Sequence, residues 1–308
     1  MFLNLGKVGR FVKCFKLSSM KKNVLFIFLF SIILFIAKSQ DSTKAILWKI
    51  SGNGLSNPSY LYGVMHLVKP LDFIFNETAK SQLQNSDILY TEINLKTPCF
   101  AMDHKLMLPD MANIKTYLTR QQSKKLWHFL RDTIRIGHDK AQVLFLFRPF
   151  VIYDAIYYSN KMFVSFEMQL YKIAKESNVE IQGIEPSCRT LYPVDSINLD
   201  DEINELRKLL DNNFLTKINL LNGYERMVKL YNDQDIKRVY ELSLHESESI
   251  RNYNEVMLKY RSKSWISPIR ESMKTKKLFI AVGVAHLYGE NGLIELFKKE
   301  GYSVIPVN

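Results

Sequence analysis

The chain contains Gly63-Val64-Met65-His66-Leu67 and repeats the same pattern, Gly-Val-x-His-Leu, at Gly283-Val284-Ala285-His286-Leu287. Each copy follows a short apolar stretch, which predicts a buried β-strand that ends near a glycine and places a histidine at its carboxyl end. Ligands bind at the carboxyl ends of strands in open α/β sheets. One such match is common by chance, but the matched pair predicts that the two imidazoles belong to one site.

Predicted strands lie towards both ends of the chain, and predicted helices fill the middle. Residues 200–261 are expected to be almost entirely helical with an interruption at Gly223, and residues 290–299 to form a helix with Glu290 in its first turn. The sequence therefore predicts an α/β or α+β fold, in which N- and C-terminal segments build a central mixed sheet and a large helical insertion covers the edge with the histidines. The predicted strands cover 45–50, 60–64, 87–94, 179–184, 278–282 and 301–307.

The first 39 residues have the pattern of a secretory signal peptide. Basic residues follow Met20, an uncharged apolar run extends from Val24 to Ala37, and Ala37-Lys38-Ser39 resembles a cleavage site. The apolar run is shorter than the ~20 residues that a membrane-spanning helix needs. We therefore expect a leader over 1–39, with Met20 as a possible true start, and a mature domain over 40–308. The protein would be periplasmic or extracellular, and tethered to the membrane only by an uncleaved leader.

Removing the leader changes the charge of the chain. The full sequence has 42 Lys and Arg and 31 Asp and Glu residues, for a net charge of +11. Seven of the basic residues and none of the acidic ones lie in 1–39, so 35 basic residues face 31 acidic ones in the mature chain. No basic stripe with interleaved aromatic residues remains, and we expect no nucleic-acid partner.

Two cysteines, Cys99 and Cys188, remain in the mature chain. In an oxidising compartment they could form one disulfide, or they could be two separate buried thiols. The sequence leaves both alternatives open.

Two glutamates lie near the ends of predicted strands, Glu92 in ILYTEIN and Glu185 in IQGIEPS. If these strands are parallel neighbours of the histidine strands, all four side chains reach the same edge of the sheet. Two histidines with one or two carboxylates suit ions such as Zn, Mn or Fe, and a carboxylate that is not a ligand could activate water as a general base. The alternative is that these side chains merely cap strand ends. The signatures of zincins, α/β-hydrolases, P-loop NTPases and dinucleotide-binding proteins do not occur in the sequence.

Blocks of sequence across the mature chain resemble the TraB/GumN family, relatives of the TIKI metalloproteases. The family often has an asparagine after the arginine of its penultimate block, where this chain has Ser262. The blocks that carry the resemblance are 47–50, 60–66, 87–94, 183–185, 254–258 with Arg261 and Trp265, 282–292 and 301–302.

The resemblance implies a metal-dependent hydrolase fold, shared with erythromycin-esterase-like and ChaN-like proteins, and in the TIKI branch a proteolytic activity supported by Mn or Co. It maps the two Gly-x-x-His motifs of the family onto His66 and His286, its glutamates onto Glu92 and Glu185, and its arginine onto Arg261.

These observations together predict an exported metal-dependent hydrolase, specifically a peptidase that acts on a peptide or protein. We expect His66, Glu92 and His286 to bind a divalent ion (Mn, Co or Zn). Glu185 would be a further ligand or the base, and Arg261 would hold a substrate carboxylate or stabilise an oxyanion. The rival hypothesis is a non-catalytic periplasmic binding or interaction protein with the same fold, which the long charged helical segment favours. A third, an iron- or haem-binding module, rests on the ChaN-like analogy alone.

Overall fold

The computed structural model describes residues 44–94, 104–158, 164–185, 198–212, 217–244 and 248–307. The predicted leader, Cys99 and Cys188 lie outside these ranges, so the predictions of a signal peptide and of a disulfide stay predictions.

A mixed sheet of six strands forms the centre of the fold, in the order β6-β4-β7-β2-β1-β8. The four strands from β6 to β2 run parallel to one another, whereas β1 is antiparallel to both β2 and β8. N- and C-terminal strands are thus neighbours in one mixed sheet, with β6 from the middle of the chain at its edge, which confirms the predicted fold class. These strands are β1 (Leu47–Ser51), β2 (Ser59–Val64), β4 (Ile88–Ile93), β6 (Glu180–Glu185), β7 (Leu278–Gly283) and β8 (Ser303–Pro306), and β3 (Leu67–Val68) pairs with β5 (Val164–Ser165) in a separate two-stranded sheet.

The register of the parallel strands aligns their carboxyl ends. Val64 at the end of β2 lies opposite Gly283 at the end of β7, and Ile93 at the end of β4 lies opposite Glu185 at the end of β6. Every residue of β2 and β7 is buried, as expected for parallel strands that are covered on both faces. The aligned ends place the residues that follow β2 and β7 beside the last residues of β4 and β6.

Helices pack around the sheet and form a second apolar core of their own, which includes Leu126, Leu130, Phe145 and Leu206. None of the described helices is both long and apolar enough to cross a membrane. The α-helices are α1 (Glu77–Gln84), α2 (Arg120–His128), α3 (His138–Leu144), α4 (Pro149–Tyr158), α5 (Phe166–Glu176), α6 (Leu199–Asp211), α7 (Lys217–Asn232), α8 (Ile236–Leu244), α9 (Glu248–Met273) and α10 (Leu293–Lys299). Short 3-10 turns cover Pro70–Asp72, His104–Leu106, Pro109–Met111, Ile114–Thr116 and Val284–His286, and Phe129–Thr133 forms a π-helical turn.

The predicted interruption at Gly223 is wrong, because Gly223 lies inside α7. A glycine in a helix costs only about 1 kcal/mol relative to alanine, which packing readily offsets. The chain instead breaks after Asn232, where Gln234 adopts a left-handed conformation with φ of 55°. Asp235 then accepts the backbone N–H of Arg238 and starts the next helix.

The predicted place of Glu290 in the first turn of a helix is also wrong, because α10 begins at Leu293. Gly289, with φ of 95°, and Gly292 form a turn that holds Glu290 outside the helix. A side chain at Gly292 would place its Cβ 2.4 Å from the carbonyl oxygen of Tyr288, so the tightness of this turn requires glycine.

Candidate functional site

The carboxyl edge of the parallel strands brings the two motif histidines to one glutamate. His66 Nε2 lies 3.7 Å from Glu92 Oε1, and His286 Nε2 lies 3.9 Å from the same oxygen. Arg261 from α9 links Glu92 to Glu185. All five residues singled out from the sequence therefore meet in one cluster.

The glycine of each motif copy makes room for the other copy. A Cβ on Gly283 would lie 2.9 Å from His66 Nε2, and one on Gly63 would lie 2.8 Å from Leu287 Cδ1 and 3.1 Å from Val284 Cα. These approaches are shorter than ordinary Cβ contacts, so a side chain at either position would force residues of the other copy to shift. The Gly283 N–H also donates to Glu92 Oε1 at 2.7 Å, which fixes the carboxylate that both histidines face.

A third glycine brings Glu185 to the cluster. A Cβ on Gly183 would lie 2.3 Å from the backbone nitrogen of Asn94 and 2.8 Å from the carbonyl carbon of Ile93. Its absence lets β6 approach the end of β4 closely. Glu185 consequently ends its strand beside Glu92, buried and within reach of Arg261.

His286 is enclosed by its neighbours and only 5% exposed. Its Nδ1 forms a hydrogen bond of 2.8 Å with Ser262 Oγ, and its ring lies 4.4 Å from that of Trp265. Burial, reinforced by the positive charges of Arg261 and His66, outweighs the attraction of Glu92 and lowers the pKa of His286 to about 3. The ring is therefore neutral near pH 7, which is the form that binds metal ions.

His66 is in a different environment, with 45% of its side chain exposed. Its Nδ1 forms a short hydrogen bond with Glu167 Oε1. Removal from water lowers the pKa of His66, but the negative charges of Glu167 and Glu92 outweigh this effect and raise it to about 9. The carboxylates of Glu167 and Glu92 therefore favour the protonated, positively charged form of the His66 ring.

Arg261 is held by the two glutamates. Its Nε donates to Glu185 Oε1 at 2.7 Å, a terminal nitrogen donates to Glu92 Oε2 at 2.7 Å, and the guanidinium lies 4.8 Å from the centre of the Trp265 ring. Burial alone would raise the pKa of Glu92, but Arg261 and the two histidines hold it well below its usual range. Glu92 is thus an anion, and Arg261 serves first as its counter-ion.

Two residues of the cluster, Glu167 and Ser262, were not identified from the sequence as functional. Glu167 lies in the first turn of α5, where a carboxylate is ordinary because it favours the positive end of the helix dipole. Ser262 stood out only as a departure from the family pattern. The only indication in the sequence that Ser262 belongs to the site was its position beside Arg261 in a family block. No feature of the sequence indicated that Glu167 belongs to the site.

The donor atoms of this cluster suit a divalent ion in kind. Two imidazole nitrogens and one carboxylate oxygen are common ligands of Zn and related ions. Metal–ligand distances of about 2.0–2.2 Å place neighbouring donors about 3–3.5 Å apart, slightly closer than the 3.7 and 3.9 Å found here. Accordingly, no group of three His, Cys, Asp or Glu side chains in the described part of the chain is already arranged around an ion position.

A comparison with known protein families shows the family of the chain. The model of the TraB/PrgY/gumN family matches residues 46–306, nearly the whole of the sheet and its helices. The chain belongs to the TraB/PrgY/gumN family. No solved structure matches the chain.

Two curated proteins are similar to this member of the TraB/PrgY/gumN family, both named Metalloprotease TIKI1. The protein of Xenopus tropicalis is 21% identical over 323 residues, which covers 87% of this chain and 62% of the relative. The protein of Danio rerio is 21% identical over 322 residues, which covers 86% of this chain and 63% of the relative. The chain thus spans less than two thirds of the length of these relatives.

Proposed function

We propose that this protein is an exported metal-dependent peptidase whose divalent ion is bound by His66, Glu92 and His286. The observation that carries the proposal is the approach of both Nε2 atoms to one oxygen of Glu92, at 3.7 and 3.9 Å. Similarity to proteins named as metalloproteases supports the reaction class. The proposed identity of the ion is Mn, Co or Zn.

The charge of the cluster favours a divalent cation. The cluster contains three carboxylates and one guanidinium: Arg261 binds Glu92 and Glu185, and Glu167 binds His66. Once an ion displaces the proton that the raised pKa of His66 holds on its ring, these groups carry a net charge of −2. Buried charges are stable only when they are compensated, and a divalent ion compensates this excess.

The chemistry that such an ion supplies when bound is Lewis acidity for the hydrolysis of a peptide bond. Arg261 holds the carboxylates of Glu92 and Glu185 in fixed positions, and its positive charge favours negative charge that develops nearby. Glu185 is the candidate general base, because it lies beside Glu92 on the other side of the guanidinium. The half-exposed ring of His66 marks the side from which a peptide substrate would enter.

Export forms part of the proposal because of the leader-like sequence over 1–39. Expression of the full chain with a C-terminal tag, followed by cell fractionation and determination of the N-terminus, tests it. A processed protein outside the cytoplasm supports export, whereas an uncleaved cytoplasmic protein contradicts it.

The test of the peptidase activity is incubation of the protein with a mixture of peptides in the presence of Mn, Co or Zn, with cleavage products identified by mass spectrometry. We expect cleavage that a chelator abolishes and that is lost in Glu92→Gln. The matched control is Glu77→Gln, which changes an exposed glutamate remote from the cluster in sequence. Cleavage that survives both chelation and Glu92→Gln would refute the proposed site.

The rival, a non-catalytic binding protein, is favoured by one observation. Arg261 already neutralises part of the charge of Glu92 and Glu185, as in a purely structural cluster. A protein that binds the ion but cleaves no peptide under any of these conditions would favour this rival.

A further inference from the structure

The segment around Glu167 is fastened to the segment around His66 by backbone contacts. Strand β5 pairs with β3, so that Ser165 lies opposite Leu67 and Val164 opposite Val68. The Phe166 N–H donates to the carbonyl oxygen of His66 at 3.0 Å. Glu167 therefore follows a backbone anchor that His66 itself provides.

The carboxylate of Glu167 is also fixed in orientation. The Ser165 hydroxyl donates to Glu167 Oε2 at 2.9 Å and, as the helix N-cap, accepts the backbone N–H of Met168. Glu167 lies in the first turn of α5, where the helix dipole favours its negative charge. Its side chain is only 12% exposed. With Oε2 held by Ser165, Oε1 is directed at His66 Nδ1.

A carboxylate in this position accepts a hydrogen bond from Nδ1–H and so determines which ring nitrogen is available to a ligand. When the His66 ring loses one proton and keeps the one on Nδ1, the lone pair lies on Nε2. That atom faces Glu92 Oε1 at 3.7 Å. A lone pair and a carboxylate oxygen repel each other unless a cation lies between them, so this orientation prepares His66 to bind a cation.

We propose that Glu167 is the positioning residue of the site, which holds His66 with its proton on Nδ1 and its Nε2 directed at the ion. The ion-binding part of this inference rests on the proposed function. Carboxylate–histidine–metal arrangements of this type fix the tautomer and the ring orientation, and loss of the outer carboxylate typically weakens metal binding by about 10–100-fold.

The first test uses the metal-free protein and is independent of any bound ion or activity. A proton on Nδ1 that is held by a carboxylate exchanges slowly with water and gives a resolved downfield NMR signal coupled to the ring nitrogen. We expect this signal for His66 in the wild type and in Glu176→Ala, which removes an exposed carboxylate from the same helix. It should be lost in Glu167→Ala and shifted upfield in Glu167→Gln, which has the same shape and keeps an acceptor. An unchanged signal in Glu167→Ala overturns the proposal.

The second test measures the affinity for Co or Mn by calorimetry. We expect a loss of about 10–100-fold in Glu167→Ala, a smaller loss in Glu167→Gln, and none in Glu176→Ala. Unchanged affinity in a folded Glu167→Ala overturns the proposal. If the wild type binds no ion, the proposed function fails, and the NMR signal of the metal-free protein alone decides the role of Glu167. Should Glu167→Ala not fold, Glu167→Gln serves in both measurements, and full wild-type behaviour of that variant counts against the inference.

Discussion

The two copies of Gly-Val-x-His-Leu share a sequence but not an environment. His66 is 45% exposed and its Nδ1 is held by a carboxylate, that of Glu167. His286 is 5% exposed, its Nδ1 is held by the hydroxyl of Ser262, and its ring packs on Trp265. The repeated sequence therefore determines where each imidazole lies, at the end of a parallel strand. Segments remote in sequence determine its charge and its accessibility.

The glycines show that the two copies depend on each other. Gly63 leaves room for Leu287 and Val284 in the second copy, whereas Gly283 leaves room for His66 in the first. Such reciprocal contacts are possible because β2 and β7 are adjacent and parallel.

The largest expected difference between the copies is in stability. In metal-free protein, His286→Ala should lower the free energy of unfolding by about 2–4 kcal/mol, because it leaves a cavity beside Trp265 and an unpaired Ser262. His66→Ala should cost about 1 kcal/mol, since its ring is half exposed. Urea unfolding with a chelator present measures both values. Equal losses would contradict the difference in environment.

Exchange of the glycines for alanine should separate packing from ion binding. Gly63→Ala should cost about 1–3 kcal/mol, because its Cβ would overlap with packed apolar atoms. Gly283→Ala should cost less stability but displace His66 and Glu92, and so weaken Co binding at least tenfold. Unfolding curves and Co titrations of both variants test the prediction that Gly63→Ala mainly lowers stability and Gly283→Ala mainly lowers the affinity for Co. It would be refuted if Gly63→Ala lost ion affinity without losing stability.

Removal of the hydroxyl from Ser262 tests whether its hydrogen bond with His286 stabilises the protein. We expect Ser262→Ala to cost about 1–2 kcal/mol, because it leaves His286 Nδ1 buried without that partner. Ser267→Ala, at an exposed position of the same helix, is the control and should change stability little. Thermal and urea unfolding provide the measurement. Equal effects of the two variants would show that the hydrogen bond between Ser262 and His286 does not stabilise the protein.

The smallest expected effect concerns a contact between α7 and the first copy. The buried Tyr231 hydroxyl donates to the carbonyl oxygen of Gly63 at 2.8 Å. Tyr231→Phe should lower the free energy of unfolding by about 1 kcal/mol. The same unfolding assay measures it, and a loss above that of His286→Ala would show that this carbonyl matters more than the buried ring.

The sequence pattern was sufficient for the strands of the central sheet and for the meeting of the two histidines and two glutamates, whereas Arg261 was identified only through the family resemblance. The apolar stretches before the two histidines are short but have a strong local signal, and parallel pairing then brings their ends together. Gly223 was misjudged because packing outweighs the helix propensity of one residue, and Glu290 because two glycines delay the start of the helix. Glu167 could not be identified, because its contact with His66 depends on the pairing of β3 with β5, strands of two residues each. Such short strands have no recognisable pattern.

The central claim is that both copies bind one ion together, and X-ray absorption at the cobalt edge tests it most directly. The account predicts one Co per chain with two imidazole ligands in the wild type, and one imidazole in His66→Ala and in His286→Ala. A wild-type protein whose ion has the same number of imidazole ligands as it has in either variant would contradict the claim, as would a protein that binds no ion.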